Sequence, residues 1–311
     1  MKAFVEVKDL GKAYQGRAAV ENLSFTIPPG HIFGLLGPNG AGKTTTISII
    51  SGLFPPDKGD VIVDGHSLLT HPARAKALMG VVPQEIALYT TLSARENLHF
   101  WGRLYGLKGD ALKVRVEQVL ERVGLSDRAN EAIKGYSGGM KRRINIAAGL
   151  LHEPRLLLLD EPTVGVDPQS RRAILDMIKD LNASGMTVLY TSHYMEEVQE
   201  LCSLVAIMDQ GRIVAHGTQE ELHRVVGEHD LVRLEVDPPL EDPSFLQSIL
   251  GVFAVNITPE GVDLTVSDGH TLLATIIAAI TQQGAAVNAV RIERPNLETV
   301  FLHLTGRMLR N

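Results

Sequence analysis

The stretch GLLGPNGAGKTTTISIISGL, Gly34 to Leu53, decides how this 311-residue chain is read. The apolar segment HIFGLL (31–36) predicts a buried strand, and Lys43 to Leu53 predicts a helix. The loop between them fits G-x-x-x-x-G-K-[ST] through Gly37, Pro38, Asn39, Gly40, Ala41, Gly42, Lys43 and Thr44. Such a hand-over captures anions. The first N–H groups of a helix have no internal partner, and the helix dipole places about half a positive charge there. Glycines let the backbone approach phosphate oxygens and take positive φ. Lys43 adds a cation for the terminal phosphates, and the Thr44 hydroxyl is an oxygen ligand of the kind Mg2+ prefers. Thr45 continues the phosphate-binding set into the helix. This loop alone leaves kinase, GTPase and ATPase open.

Two further stretches narrow the choice. LLLLDEPT ends a strand, apolar on both faces, on the adjacent carboxylates Asp160 and Glu161. Side chains alternate along a strand, so the pair need not point the same way. Asp160 is a candidate to hold Mg2+ through water, and Glu161 to act on the attacking water as base or orienter. A carboxylate with an ordinary pKa of about 4.3 is a weak base near neutrality, so positioning must carry much of that role. YSGGMKRR (136–143) is a second glycine turn, capped by Ser137 and followed by Gly138 and Gly139 at a helix start. It is a second anion site, which one ATP does not obviously need within one chain.

Around these motifs the pattern is that of an α/β core. Strands are expected at 3–9, 23–27, 31–36, 79–83, 186–191, 204–208 and 212–215, and helices at 168–183 and 195–202. Between about 90 and 150 the period turns helical, opened by the cap-type residues Thr91 and Ser93. Composition shifts near 225–230. Beyond it an alternating strand, a hairpin, a helix at 270–283, a strand at 287–293 and a helix at 295–308 predict a small separate α+β domain.

Bulk properties bound the function. At 44% hydrophobic residues the chain is globular, and its length suits two domains. A net charge of −6 with mixed signs gives no clustered basic face, so no nucleic-acid partner is expected. The lone Cys202 rules out an intrachain disulfide framework and fits a reducing compartment. The opening MKAFVEVKDLGKAY lacks a secretory apolar core, and no apolar run reaches the ~18 residues of a membrane span. A soluble or peripheral protein is expected, with any membrane part supplied by other chains.

Taken together, GPNGAGKT, YSGGMKRR and LLLLDEPT resemble those of an ATP-binding subunit of an ABC transporter, over about residues 2–225. The resemblance implies a P-loop NTPase core with an antiparallel β subdomain and a helical insert at about 90–150. It makes 1–225 the ATP-binding domain and 226–311 an accessory α+β domain. It implies ATP and Mg2+ as cofactors. It also implies a head-to-tail dimer in which Ser137, Gly138 and Gly139 of one copy press on the γ-phosphate held by the other.

Position by position, Tyr14 resembles the aromatic that stacks on adenine. Gln84, closing GVVPQ, resembles the glutamine that senses Mg2+, beside Thr44 and Asp160, and that links core to insert. Asp167 resembles the loop aspartate that touches the second subunit, and His193 the switch histidine near the γ-phosphate. VGVD (164–167) departs from the commoner Ser-Gly-Leu-Asp, a change at the dimer seam. The ending ERPNLETVFLHLTGR (293–307), like YSGGMKRR and TVGVDP, is similar to drug-resistance-type exporter subunits. That implies an ATPase motor at the cytoplasmic face of the membrane, serving separate transmembrane permease subunits that dock near Glu85–Leu92. A soluble non-transport ATPase of the same superfamily is the alternative.

Overall fold

The computed structural model describes residues 3–226, 229–240, 242–258, 261–293 and 297–305. It divides into two compact units, one through Thr218 and one from Gln219.

The first unit opens with the long hairpin β1 (Val5–Tyr14) and β2 (Arg17–Ile27). Both strands outrun the expected 3–9 and 23–27. Register shifts after Val7, Leu10 and Lys12 break the alternation while the pairing continues. Strand β3 (Ile32–Leu36), buried throughout, delivers the chain to α1 (Lys43–Ile50). Next come β4 (Lys58–Val63), the two-residue β5 (His66–Ser67), the short α2 (Pro72–Ala77) and β6 (Met79–Val82). The insert is α3 (Ala94–Leu104), α4 (Gly109–Arg122) and α5 (Gly138–Leu150). Ser93 begins it with a capping box closed by Glu96. The core resumes with β7 (Leu156–Asp160), α6 (Pro168–Ala183), β8 (Thr187–Ser192), α7 (Met195–Leu201), β9 (Leu204–Asp209) and β10 (Arg212–Gly217).

Two sheets result. An antiparallel one has the order β2-β1-β4-β5, and a six-stranded one the order β10-β9-β3-β8-β7-β6. In the larger sheet β6, β7, β8, β3 and β9 run parallel, with β10 antiparallel at the edge. Parallel strands covered on both faces must be apolar throughout, which is why LLLLD and IFGLL carry no alternation. The two sheets share one core, where Phe25 stacks on Phe33 at 4.7 Å. The phosphate loop follows the C-terminal end of β3 and the carboxylate pair that of β7, two parallel strands separated by β8, on the edge where open α/β sheets place ligands.

The second unit contains α8 (Gln219–Val226), β11 (Asp230–Asp237), β12 (Val252–Thr258), β13 (Gly261–Val266), α9 (Gly269–Gln282), β14 (Ala286–Glu293) and α10 (Leu297–Thr305). Its antiparallel sheet has the order β12-β13-β11-β14. Strand β11 alternates buried and exposed residues, and Val232, Leu234 and Val236 meet Ile276 and Ile280 of α9 in an apolar core. The outer parts of the helix expected at 295–308 lie outside the described residues, as does part of the 293–307 ending. The elements β5, α2 and α8 have no counterpart in the sequence reading, since two to eight residues are too few to establish a period.

Candidate functional site

A cleft of about 410 Å3 lies over the loop between β3 and α1, lined by Asn39, Gly40, Gly42, Lys43, Thr44, Thr45, Gln84, Glu161 and His193, with Ala19 and Val164. The loop conformation needs its glycines. Gly42, the N-cap of α1, has φ 104°, and a Cβ there would stand 2.4 Å from the Ala19 carbonyl oxygen. A Cβ on Gly37 would stand 2.3 Å from the Met208 carbonyl oxygen. Gly37, Pro38 and Ala41 shape the loop and do not line the cleft. Gly37 and Pro38 instead direct their carbonyls at Lys43 Nζ, which donates to them at 2.7 and 3.0 Å.

Lys43 is 4% exposed, and a buried ammonium must find compensation. Its third partner is Glu161 Oε1, an ion pair at 3.1 Å. The other oxygen of Glu161, Oε2, faces His193 Nδ1 at 3.1 Å. A lysine, a carboxylate and an imidazole thus form a chain across the cleft. Glu161 reaches it through an uncommon backbone geometry. It sits at φ 44°, left-handed and costing a non-glycine residue roughly 1–3 kcal/mol. This turn, held by the Thr191 hydroxyl accepting from the Glu161 N–H at 3.0 Å, aims Glu161 into the cleft directly after Asp160.

Asp160 lies deeper. Its Oδ1 accepts from Thr191 Oγ1 at 2.8 Å and, more weakly, from Thr44 Oγ1 at 3.5 Å. Burial raises its pKa above the ordinary carboxylate value, only partly countered by those hydroxyls. A carboxylate and a hydroxyl so close together, with Gln84 on the cleft wall, form a set of hard oxygen donors that fits Mg2+. Among the described residues no cluster of three or more His, Cys, Asp or Glu side chains could hold a metal.

The remaining residues fall elsewhere. Tyr14 ends β1, opposite Arg17 at the tip of the hairpin, and is 46% exposed. Ser137 caps α5 by accepting from the Met140 N–H at 3.2 Å, and neither it nor Gly138 or Gly139 lines the cleft. Gly139 instead packs on the start of α6, where a Cβ would stand 2.2 Å from Ser170. Asp167 caps that same helix, accepting from the Ser170 N–H at 2.9 Å, a bond that lowers its pKa. The Ser137 turn and the Asp167 turn therefore form a second, exposed group on the same chain.

Several buried polar residues organise the site in ways the motifs did not assign, although Arg142 lies within YSGGMKRR. Arg142 donates to the carbonyl oxygens of Pro83 and Gln84 at 2.8 and 2.6 Å. Asn145 accepts from the Ala87 N–H at 3.2 Å. Asn97 bonds both backbone groups of Tyr89. These side chains fix the Gln84 loop to the insert. Outside YSGGMKRR their sequence signal is a polar residue among apolar positions of a helix, as Asn145 is in RINIAAGLL.

A mostly parallel sheet with an anion loop, a nearby carboxylate pair, a histidine facing Glu161 and a second glycine turn defines an ATP-binding cassette. The family model for ABC transporters matches residues 20–164. The chain is 47% identical to the linearmycin resistance ATP-binding protein LnrL of Bacillus subtilis, over 99% of this chain and 100% of that one. It is 38% identical to the Nod factor export ATP-binding protein I of Ralstonia nicotianae, over 99% and 95%. A solved ATP-binding subunit of an ABC transporter superposes with TM-score 0.65 at 31% identity, covering 72% of this chain and 93% of that one. A cassette solved as a dimer with ADP and Pi after hydrolysis gives TM-score 0.62 at 25% identity, covering 69% and 98%. The chain belongs to the ABC transporter family, as an ATP-binding, ATP-hydrolysing subunit of the exporter type.

Proposed function

We propose that this chain energises export by clamping ATP between two copies of itself, and that the work is passed to separate permease chains at the cytoplasmic membrane face. One observation carries the dimer. The Ser137 turn is a helix N-terminus suited to anions, yet it lies outside the chain's own phosphate cleft. A head-to-tail pair supplies each cleft with the turn it lacks, so nucleotide completes the interface and its hydrolysis releases it.

In this reading the loop amides and Lys43 bind the phosphates, and Tyr14 offers its exposed ring to adenine. Thr44 and Asp160, with Gln84, would hold Mg2+, which supplies charge neutralisation at the phosphate oxygens. Glu161 orients the attacking water and receives its proton, and His193 holds Glu161 and faces the γ-phosphate. Nucleotide entry draws Lys43 away from Glu161, which frees the carboxylate. Asp167 meets the second copy. No helix among the described residues is long and apolar enough to cross a membrane, in keeping with a peripheral subunit. The segment Glu85–Leu92, fixed by Asn97 and Asn145, is the docking surface for the permease. Relatives named for linearmycin resistance, daunorubicin resistance and Nod factor export support a cargo that is moved outward.

Mixing inactive variants tests the shared site. Lys43→Ala and Ser137→Arg are each expected to abolish turnover. Their mixture restores part of it, because the mixed dimer contains one intact cleft. A mixture as inactive as its components contradicts the head-to-tail arrangement.

A further inference from the structure

Behind the cleft lies a second buried carboxylate that the reaction does not touch. Glu197, on α7, is 3% exposed. Its Oε2 accepts from Thr163 Oγ1 at 2.9 Å, Tyr190 OH at 2.7 Å and Ser192 Oγ at 2.9 Å. Its Oε1 has no hydrogen bond, and Arg171 Nε stands 3.5 Å away in an ion-pair contact. Burying a carboxylate costs several kcal/mol unless it is well compensated. A buried charge of this kind merits a functional account.

The donors come from three segments that matter. Thr163 is two residues beyond Glu161. Tyr190 and Ser192 are on β8, directly before His193. Arg171 is in the first turns of α6, where its N–H bonds the Asp167 carbonyl at 2.8 Å. A second path joins the same parts. The Arg171 guanidinium lies 4.7 Å from the centre of the Tyr194 ring, and that ring is 4.1 Å from the His193 ring. The Tyr194 N–H donates to Ser192 Oγ at 2.9 Å, so the hydroxyl that donates to Glu197 also closes the turn carrying His193.

We propose that Glu197 is a positioning residue that ties the His193 turn to the Asp167-capped helix, so that engagement of a second copy at Asp167 sets the imidazole against Glu161. This rests on the roles given above to Glu161, His193 and Asp167. The link runs through Arg171, because the side chain that pairs with Glu197 belongs to the helix Asp167 caps. Replacing Glu197 by glutamine keeps one oxygen for the three hydroxyls and puts an amide towards Arg171. The tie to α6 is lost with little change in volume.

The test uses the full chain with 13C-labelled histidine rings, the His193 signal being assigned by its loss in His193→Gln. Glu197→Gln is expected to shift that signal and to lower kcat about tenfold, as a small misplacement does, while ATP affinity stays within about twofold. Arg171→Gln, at a partly exposed position, should move both readouts the same way and add little in the double variant, since the pair acts as one unit. It also carries the test if Glu197→Gln does not fold. An unmoved His193 signal with parental kcat overturns the proposal, as does additivity of the two substitutions. A parent chain without turnover would instead count against the proposed function, and the His193 signal would still decide the role of Glu197.

Discussion

The two units of this chain solve the same folding problem with different interiors. The second is held by apolar residues, with Asp230 its one buried charged or polar side chain among the described residues. Asp230 has an evident local duty, accepting from the Gly269 N–H at the start of α9. The first unit buries Lys43, Asp160, Glu161, Arg142 and Glu197, together with Asn97, Asn145 and a set of hydroxyls. None of these adds stability as readily as a leucine of similar size would. Buried charge marks where the fold holds chemistry and transmits it, whereas a plain apolar core marks a scaffold.

The strongest way to break this contrast is at Glu161. Glu161→Gln should lower ATP turnover about a thousandfold, roughly 4 kcal/mol of barrier, while ATP still binds. Phosphate release at the parental rate would remove Glu161 from the reaction. Next comes the core of the second unit. Ile276 is fully buried, and Ile276→Ala should cost about 3 kcal/mol of that unit's stability. ATP affinity, measured by titration, should not change, and a parallel loss of affinity would contradict its role as scaffold.

A smaller effect is expected at Gly42, whose φ of 104° and crowded Cβ direction exclude a side chain. Gly42→Ala should cost about 1–3 kcal/mol in denaturant unfolding and weaken ATP binding. The smallest concerns Asp160. Its folded pKa is raised, so the ionised form costs stability above that pKa and the protonated form does not. Asp160→Asn should therefore slightly raise the melting temperature of the nucleotide-free chain near pH 7. That gain should fade as the pH falls through the raised pKa towards the ordinary carboxylate range. A gain independent of pH would contradict the desolvation account.

The motifs were legible because their chemistry needs particular residues at fixed spacings along one short segment. That is true of Gly37 to Thr44, of Asp160–Glu161 and of Ser137–Gly139. The parallel core strands were legible because full burial removes polar residues from both faces. The aim of Glu161 into the cleft, with Asp160 set deeper behind it, was not, since it depends on the left-handed turn at Glu161, and a glutamate does not advertise that geometry. The contacts of Arg142, within YSGGMKRR, and of Asn145 and Glu197 were equally hidden. Each meets its partners across 30 or more residues of sequence or from another element, so no local pattern betrays it. The full lengths of β1 and β2 escaped for a third reason, because bulges disrupt the period that reading relies on.

The most direct test of the account is the mass of Glu161→Gln in solution with saturating ATP and Mg2+, by light scattering after size exclusion. The account predicts a species of twice the 33.8 kDa chain, which reverts to one copy when Ser137→Arg is added. A chain that binds ATP under these conditions and remains at 33.8 kDa would contradict it.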